Sequence, residues 1–219
     1  MSEGQAGALG RPDPGASAPT PLAAILVTGM APSARRRAIG SLIEFKPEAQ
    51  RFIVITSGLV DHHPSAGAPP ADIEFAVLPP GCLCCTGLLP FKVGLTRLLR
   101  RLSNWAPTLL IIDAGTESHA ASVRTQLVKP DFARLLRLES VVAAIDAPMI
   151  GSAPQALRQA LGSLCAAADL VICDASAASD SSDTCARFRA EFNIAAPLLD
   201  ASDPACAVHL GLTAGSADA

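Results

Sequence analysis

Ala24-Ile25-Leu26-Val27-Thr28-Gly29, followed by Met30-Ala31-Pro32-Ser33-Ala34-Arg35-Arg36-Arg37, is the stretch on which the fold turns. An unbroken aliphatic run of strand length ends in a glycine turn, and helical spacing then continues to about Phe45. A strand that is apolar on both faces is buried on both faces, the condition of a parallel sheet held between helices. Similar runs recur at 23–27, 52–55, 73–78, 109–112, 141–145, 170–172 and 194–199. Between many of them the spacing is helical. In 88–102, Val93, Leu95, Leu98, Leu99 and Leu102 gather on one side while Lys92, Arg97, Arg100 and Arg101 take polar positions, and 132–138 and 156–166 behave alike. Strands alternating with helices predict right-handed crossovers and a single α/β domain, a three-layer α/β/α sandwich on a mostly parallel sheet. Its binding crevice lies at the carboxyl ends of the strands.

The composition narrows the function. The chain has 219 residues, 50% hydrophobic and 17% charged, enough for one core of ordinary domain size without disulfide staples. A net charge of -3 and the lack of tyrosine argue against a nucleic-acid binder. No apolar run approaches the roughly 20 residues of a membrane helix, so no membrane partner is expected. Residues 1–21 are rich in Gly, Ala, Pro and Ser and read as a flexible leader rather than a secretory signal. Stretches 62–72 and 175–183 read as exposed loops, and 201–219 as an aperiodic tail. Seven cysteines, three of them crowded together, suit a reducing cytoplasm better than a disulfide framework.

Those three lie in Gly81-Cys82-Leu83-Cys84-Cys85-Thr86-Gly87, between the run 73–78 and the helix that begins near Leu88. Three thiols in one turn can converge on a soft cation, since Zn(II) takes thiolates at about 2.3 Å in a tetrahedral shell. Asp61, His62 and His63 follow the preceding strand, at the same sheet edge, and any of them could supply a fourth ligand. Two other readings stand beside this one: a redox pair of Cys84 and Cys85, or simple packing of small apolar side chains.

The strand ending in Val27-Thr28-Gly29, the element Gly81-Cys82-Leu83-Cys84-Cys85 and the later Val141-Val142-Ala143-Ala144-Ile145-Asp146-Ala147 occur in the order seen in CobW-type proteins. The chain resembles a divergent member of that family of P-loop GTPases, relatives of the nickel-insertion GTPases for urease and hydrogenase, over about 22–200. The resemblance implies a P-loop-NTPase-like fold, GTP with Mg(II) as nucleotide, and zinc or a similar soft divalent metal on Cys82, Cys84 and Cys85. It also implies delivery of that metal to a client metalloprotein. The family's smaller C-terminal domain is not expected within 201–219.

The nucleotide motifs depart from the family pattern. Where the phosphate loop has Gly-Lys-Thr, this chain has Ala34-Arg35-Arg36, losing the second glycine and the Mg(II) hydroxyl. Where the family reads guanine with Asn-Lys-x-Asp, Cys173-Asp174-Ala175-Ser176 stands. Ser57 replaces the glutamate after the second strand, and Asp113 ends the run 109–112 as the family's acidic residue does. Asp113 is either a contact to Mg(II)-bound water or a cap of the next turn. Arg35 to Arg37 are either a solvated helix start or an anion site. Gly29, Arg35, Arg36 and Asp113 are thus the nucleotide-site candidates, and Cys82, Cys84, Cys85, Asp61 and His62 the metal candidates. The expectation is a zinc-class carrier, buffer or regulator on a pseudo-GTPase scaffold. The alternative is a slow GTP-hydrolysing metallochaperone that couples turnover to metal insertion. A second chain supplying missing groups in an oligomer is compatible with either.

Overall fold

The computed structural model describes residues 20–57, 70–116, 118–174 and 181–212. Its chain order begins β1 (Leu22–Thr28), α1 (Pro32–Glu44), β2 (Phe52–Ser57), β3 (Ile73–Leu78), α2 (Leu88–Arg101), β4 (Leu109–Asp113) and α3 (Ala120–Leu127). It continues α4 (Pro130–Ala133), β5 (Leu136–Asp146), α5 (Ala147–Ser152), α6 (Gln155–Ala166), β6 (Leu170–Asp174), α7 (Ser181–Glu191), β7 (Leu198–Asp200) and α8 (Ala205–His209). A single 3-10 turn, Ser103–Trp105, follows α2.

The strands form one seven-stranded sheet in the order β3-β2-β4-β1-β5-β6-β7. Every pairing between them is parallel. Burial on both faces follows from the unbroken aliphatic runs: all five residues of β4 and all five of β6 are buried. One face carries Ile25, Val27, Val54, Ile111 and Val142 against Ala34, Ala38 and Leu42 of α1 and Cys206 of α8. The other carries Leu26, Ile53, Ile55 and Ile112 against Phe91 and Leu95 of α2 and Val123 of α3, and continues through Val171 to Leu161 of α6 and Phe188 of α7. This is the three-layer α/β/α sandwich. The chain reverses direction across the sheet at β1, whose neighbours are β4 and β5. A switch of that kind opens a crevice at the carboxyl edge, where the segments after β1, β3 and β4 emerge.

Several elements differ from the sequence reading. The stretch 132–138 is not a helix: α4 stops at Ala133 and β5 begins at Leu136. Its first residues, Leu136-Arg137-Leu138-Glu139-Ser140, alternate buried and more exposed positions, the period of a half-covered strand. The run 194–199 contributes only Leu198–Asp200 as strand, because Asn193 takes a left-handed φ of 48° at the end of α7 and Pro197 has no amide for a ladder. Residues 181–183, expected as loop, open α7. Within the stretch expected as an aperiodic tail, Ala205–His209 form α8, and Cys206 and Leu212 pack into the core. Among the described residues no helix is long and apolar enough to cross a membrane.

Candidate metal centre

The thiol turn leaves β3 at Leu78 and enters α2 at Leu88, closed by a clasp of two glycines. Gly81 has φ +150°, a conformation L side chains rarely adopt. A Cβ on Gly87 would stand 2.6 Å from the Gly81 carbonyl oxygen. Inside the clasp the Cys82 carbonyl accepts from the amides of Cys85 at 3.1 Å and Gly87 at 2.9 Å. Leu83 points inward, 2% exposed, packed in the cluster that holds Phe91 and Leu95. With Leu83 anchored, its neighbours are presented together: the sulfurs of Cys82, Cys84 and Cys85 all lie within 4.8 Å of one another. Cys82 and Cys84 are half-buried and Cys85 is exposed.

Three soft donors at that spacing suit one soft cation, whose thiolate ligands stand about 3.8 Å apart in a tetrahedral shell. The sulfurs of Cys82 and Cys84 are also in disulfide contact, while Cys85 is free. The redox pairing the geometry offers is therefore Cys82 with Cys84, not Cys84 with Cys85. A disulfide would withdraw both sulfurs from metal binding, so the group could hold a metal only in its reduced form. No fourth histidine, cysteine or carboxylate joins the group among the described residues; Asp61, His62 and His63 lie outside them. Elsewhere, burial pushes the Cys165 thiol up to about 12 and that of Cys206 up to about 11, so both stay protonated and inert near neutrality. Cys173 and Cys185 form a second disulfide contact, between β6 and α7, and both are buried.

The segment after β1 is short: α1 begins at Pro32, with Ala31 as an N-cap that makes no side-chain bond. Gly29, Met30 and Ala31 are the whole turn, and the Arg35 amide already bonds the Ala31 carbonyl at 3.2 Å. In a Gly-x-x-x-x-Gly-Lys-Ser/Thr loop the residues standing at 32 to 34 would still be cradle. Gly29 is required by space, since a Cβ there would come within 2.4 Å of the Ala144 carbonyl oxygen. Arg35 is 1% exposed and turned into the crevice. Its Nε donates to Asp113 Oδ1 at 2.6 Å, and its Nη1 donates to the Gly29 carbonyl at 2.7 Å and to Thr116 Oγ1 at 3.0 Å. Thr116 in turn donates to the Met30 carbonyl at 3.2 Å. Arg36 is exposed, and Arg37 pairs with Asp174, at the end of β6, at 2.5 Å. Thr56, in register with Asp113, is 3% exposed, and its hydroxyl has no partner among the described residues.

The structure thus brings Gly29, Arg35 and Asp113 together and gathers the three cysteines separately, leaving Arg36 at the surface. Thr116 and Ser118, which contact the two groups, escaped the sequence reading. Their partners lie 81 and 35 positions away, and no local pattern marks either residue.

Residues 25–199 match the sequence pattern of the CobW/HypB/UreG nucleotide-binding domain. The chain belongs to the CobW family. Among curated CobW relatives it is 26% identical over 153 residues to the zinc chaperone YeiR of Escherichia coli K12, covering 69% of this chain and 45% of that protein. Among solved structures, Zn(II)-bound YjiA GTPase from E. coli superposes with a TM-score of 0.55 at 14% identity, covering 77% of this chain and 54% of that one. HypB from Helicobacter pylori in complex with nickel superposes with a TM-score of 0.52 at 13% identity, covering 84% and 81%. The chain spans about half the length of YeiR and YjiA. At these identities the two solved structures speak for the CobW fold alone.

Proposed function

We propose that this chain takes a zinc-class metal ion as its cargo on Cys82, Cys84 and Cys85, acting as a carrier, buffer or regulator without efficient GTP turnover. The observation that carries the reading is the convergence of three sulfurs within 4.8 Å in a turn at the carboxyl edge of the sheet. Thiolates favour soft and borderline ions, and clustered cysteines bind them where the surroundings keep thiols reduced, as a cytoplasm does. The description of YeiR as a zinc chaperone supports zinc as the cargo. Binding requires loss of thiol protons, so affinity rises with pH. Cys85 is the exposed member, and a client metalloprotein would draw the ion off from its side.

The residues of the phosphate crevice do not fit Mg(II) and GTP. The turn after β1 is only Gly29 to Ala31. The position of the Mg(II) hydroxyl is held by Arg36, and the buried Arg35 spends its charge on Asp113. A γ-phosphate needs amide donors, a free cation and a metal ligand together. This supports a pseudo-GTPase.

The test is zinc competition against a chromophoric chelator on reduced protein. One ion per chain is expected for the wild type, and loss of tight binding for C82A/C84A/C85A. Full stoichiometry retained in the triple variant would refute the assignment.

A further inference from the structure

Among the described residues, one side chain from outside the thiol turn hydrogen-bonds its backbone. Leu83, between Cys82 and Cys84, donates its amide to Ser118 Oγ at 3.0 Å, a buried bond across 35 positions of sequence. Ser118 is 6% exposed. It belongs to the segment that follows β4, which is itself tied down: the Ala114 amide bonds the Val27 carbonyl at 2.9 Å, and the Ser118 amide bonds the Gly115 carbonyl at 2.9 Å. Thr116 of the same segment accepts from Arg35 and donates to the Met30 carbonyl. One short stretch therefore braces the turn after β1 and the thiol turn.

Within the turn the Leu83 amide has no acceptor among the described residues: the Cys82 carbonyl belongs to the same peptide unit, points the opposite way and accepts from Cys85 and Gly87. A buried amide without an acceptor is costly enough to shift the backbone that bears it. Any such shift moves Cys82 and Cys84 directly, because Leu83 lies between them.

We propose that Ser118 is a positioning residue for the metal centre. By accepting the Leu83 amide it fixes the Cys82–Cys84 backbone so that the three sulfurs converge before the ion arrives. The inference rests on the metal-carrier reading above and extends it to a residue that bears no ligand atom. Partners that orient metal ligands typically account for about 10–100-fold in affinity, and Ser118, acting through backbone, belongs near the lower end.

Cobalt(II) titration of the full, reduced chain under anaerobic conditions tests this, since thiolate-to-cobalt charge-transfer absorption reports thiolate ligation itself. Ser118→Ala should bind Co(II) about tenfold more weakly with a weaker charge-transfer band. Ser118→Thr, which keeps the hydroxyl, should restore both. Wild-type affinity and band in S118A would overturn the proposal, as would S118T failing to the same extent as S118A. Should S118A not fold, amide exchange in the wild-type chain decides: slow exchange at Leu83 is expected, and exchange as fast as an exposed amide overturns it. A wild-type chain that gives no charge-transfer band contradicts the metal reading itself, and this inference with it.

Discussion

Arg35 stands where the family pattern has its phosphate lysine, and its bonds give that cation a structural role. Its guanidinium is almost fully buried and makes bonds to Asp113, to the Gly29 carbonyl and to Thr116. Removing one partner of a buried pair costs about 3–5 kcal/mol, because the other charge keeps its desolvation penalty. Arg35→Ala should therefore lower stability by that order in urea denaturation. The double replacement Arg35→Met with Asp113→Leu should lose less than the single one. A titrating group farther along the same edge behaves differently. Burial first, and the Asp174 charge second, raise Asp146 above its usual 3.8, with Arg37 opposing. Its protonated form is thus favoured on folding. The contribution to stability is complete below 3.8 and is lost as pH rises through the folded value. Asp146→Asn should melt above the wild type at pH 7, with the gap closing as pH falls toward 4. A gap that widens on acidification would contradict that sign.

The thiol turn works because two glycines let its ends touch. With a Cβ on Gly87 placed 2.6 Å from the Gly81 carbonyl oxygen, Gly87→Ala must displace main chain rather than a flexible side chain. It should cost about 1–3 kcal/mol, as overpacking does, and weaken zinc binding beyond that of a surface control such as Thr86→Ala. Equal zinc affinity in both variants would contradict the clasp. The sheet was legible because each of the seven strands announced itself as an aliphatic run, and the cysteine turn because its residues are contiguous. The start of β5 was not, since Phe132 to Leu138 has apolar spacing that a short helix and a half-covered strand share. There the alternation of Leu136, Arg137, Leu138 and Glu139 was the better signal. In β7, Pro197 and the left-handed Asn193 cut a long apolar run to Leu198–Asp200. The leading residue of the 114–118 brace to the thiols, Ser118, had no sequence signal, because its meaning lies in a contact with Leu83.

At the scale of the whole molecule, the domain keeps the CobW-type α/β architecture with an altered turn after β1. The sheet order places β1 between β4 and β5 as a switch point demands. Yet α1 starts at Pro32, and Arg35 lies buried against Asp113 and the Gly29 carbonyl. The substitutions Ala34, Arg35 and Arg36 were visible in the sequence. That Arg35 turns inward to Asp113 rather than outward to an anion was not, because nothing local distinguishes the two. The thiol turn at the same edge carries the proposed metal site, which on the reading above works without nucleotide. Calorimetric titration of GTP with Mg(II) into the zinc-loaded chain tests it most directly. No detectable binding is expected up to millimolar nucleotide. Binding at micromolar concentration would contradict it.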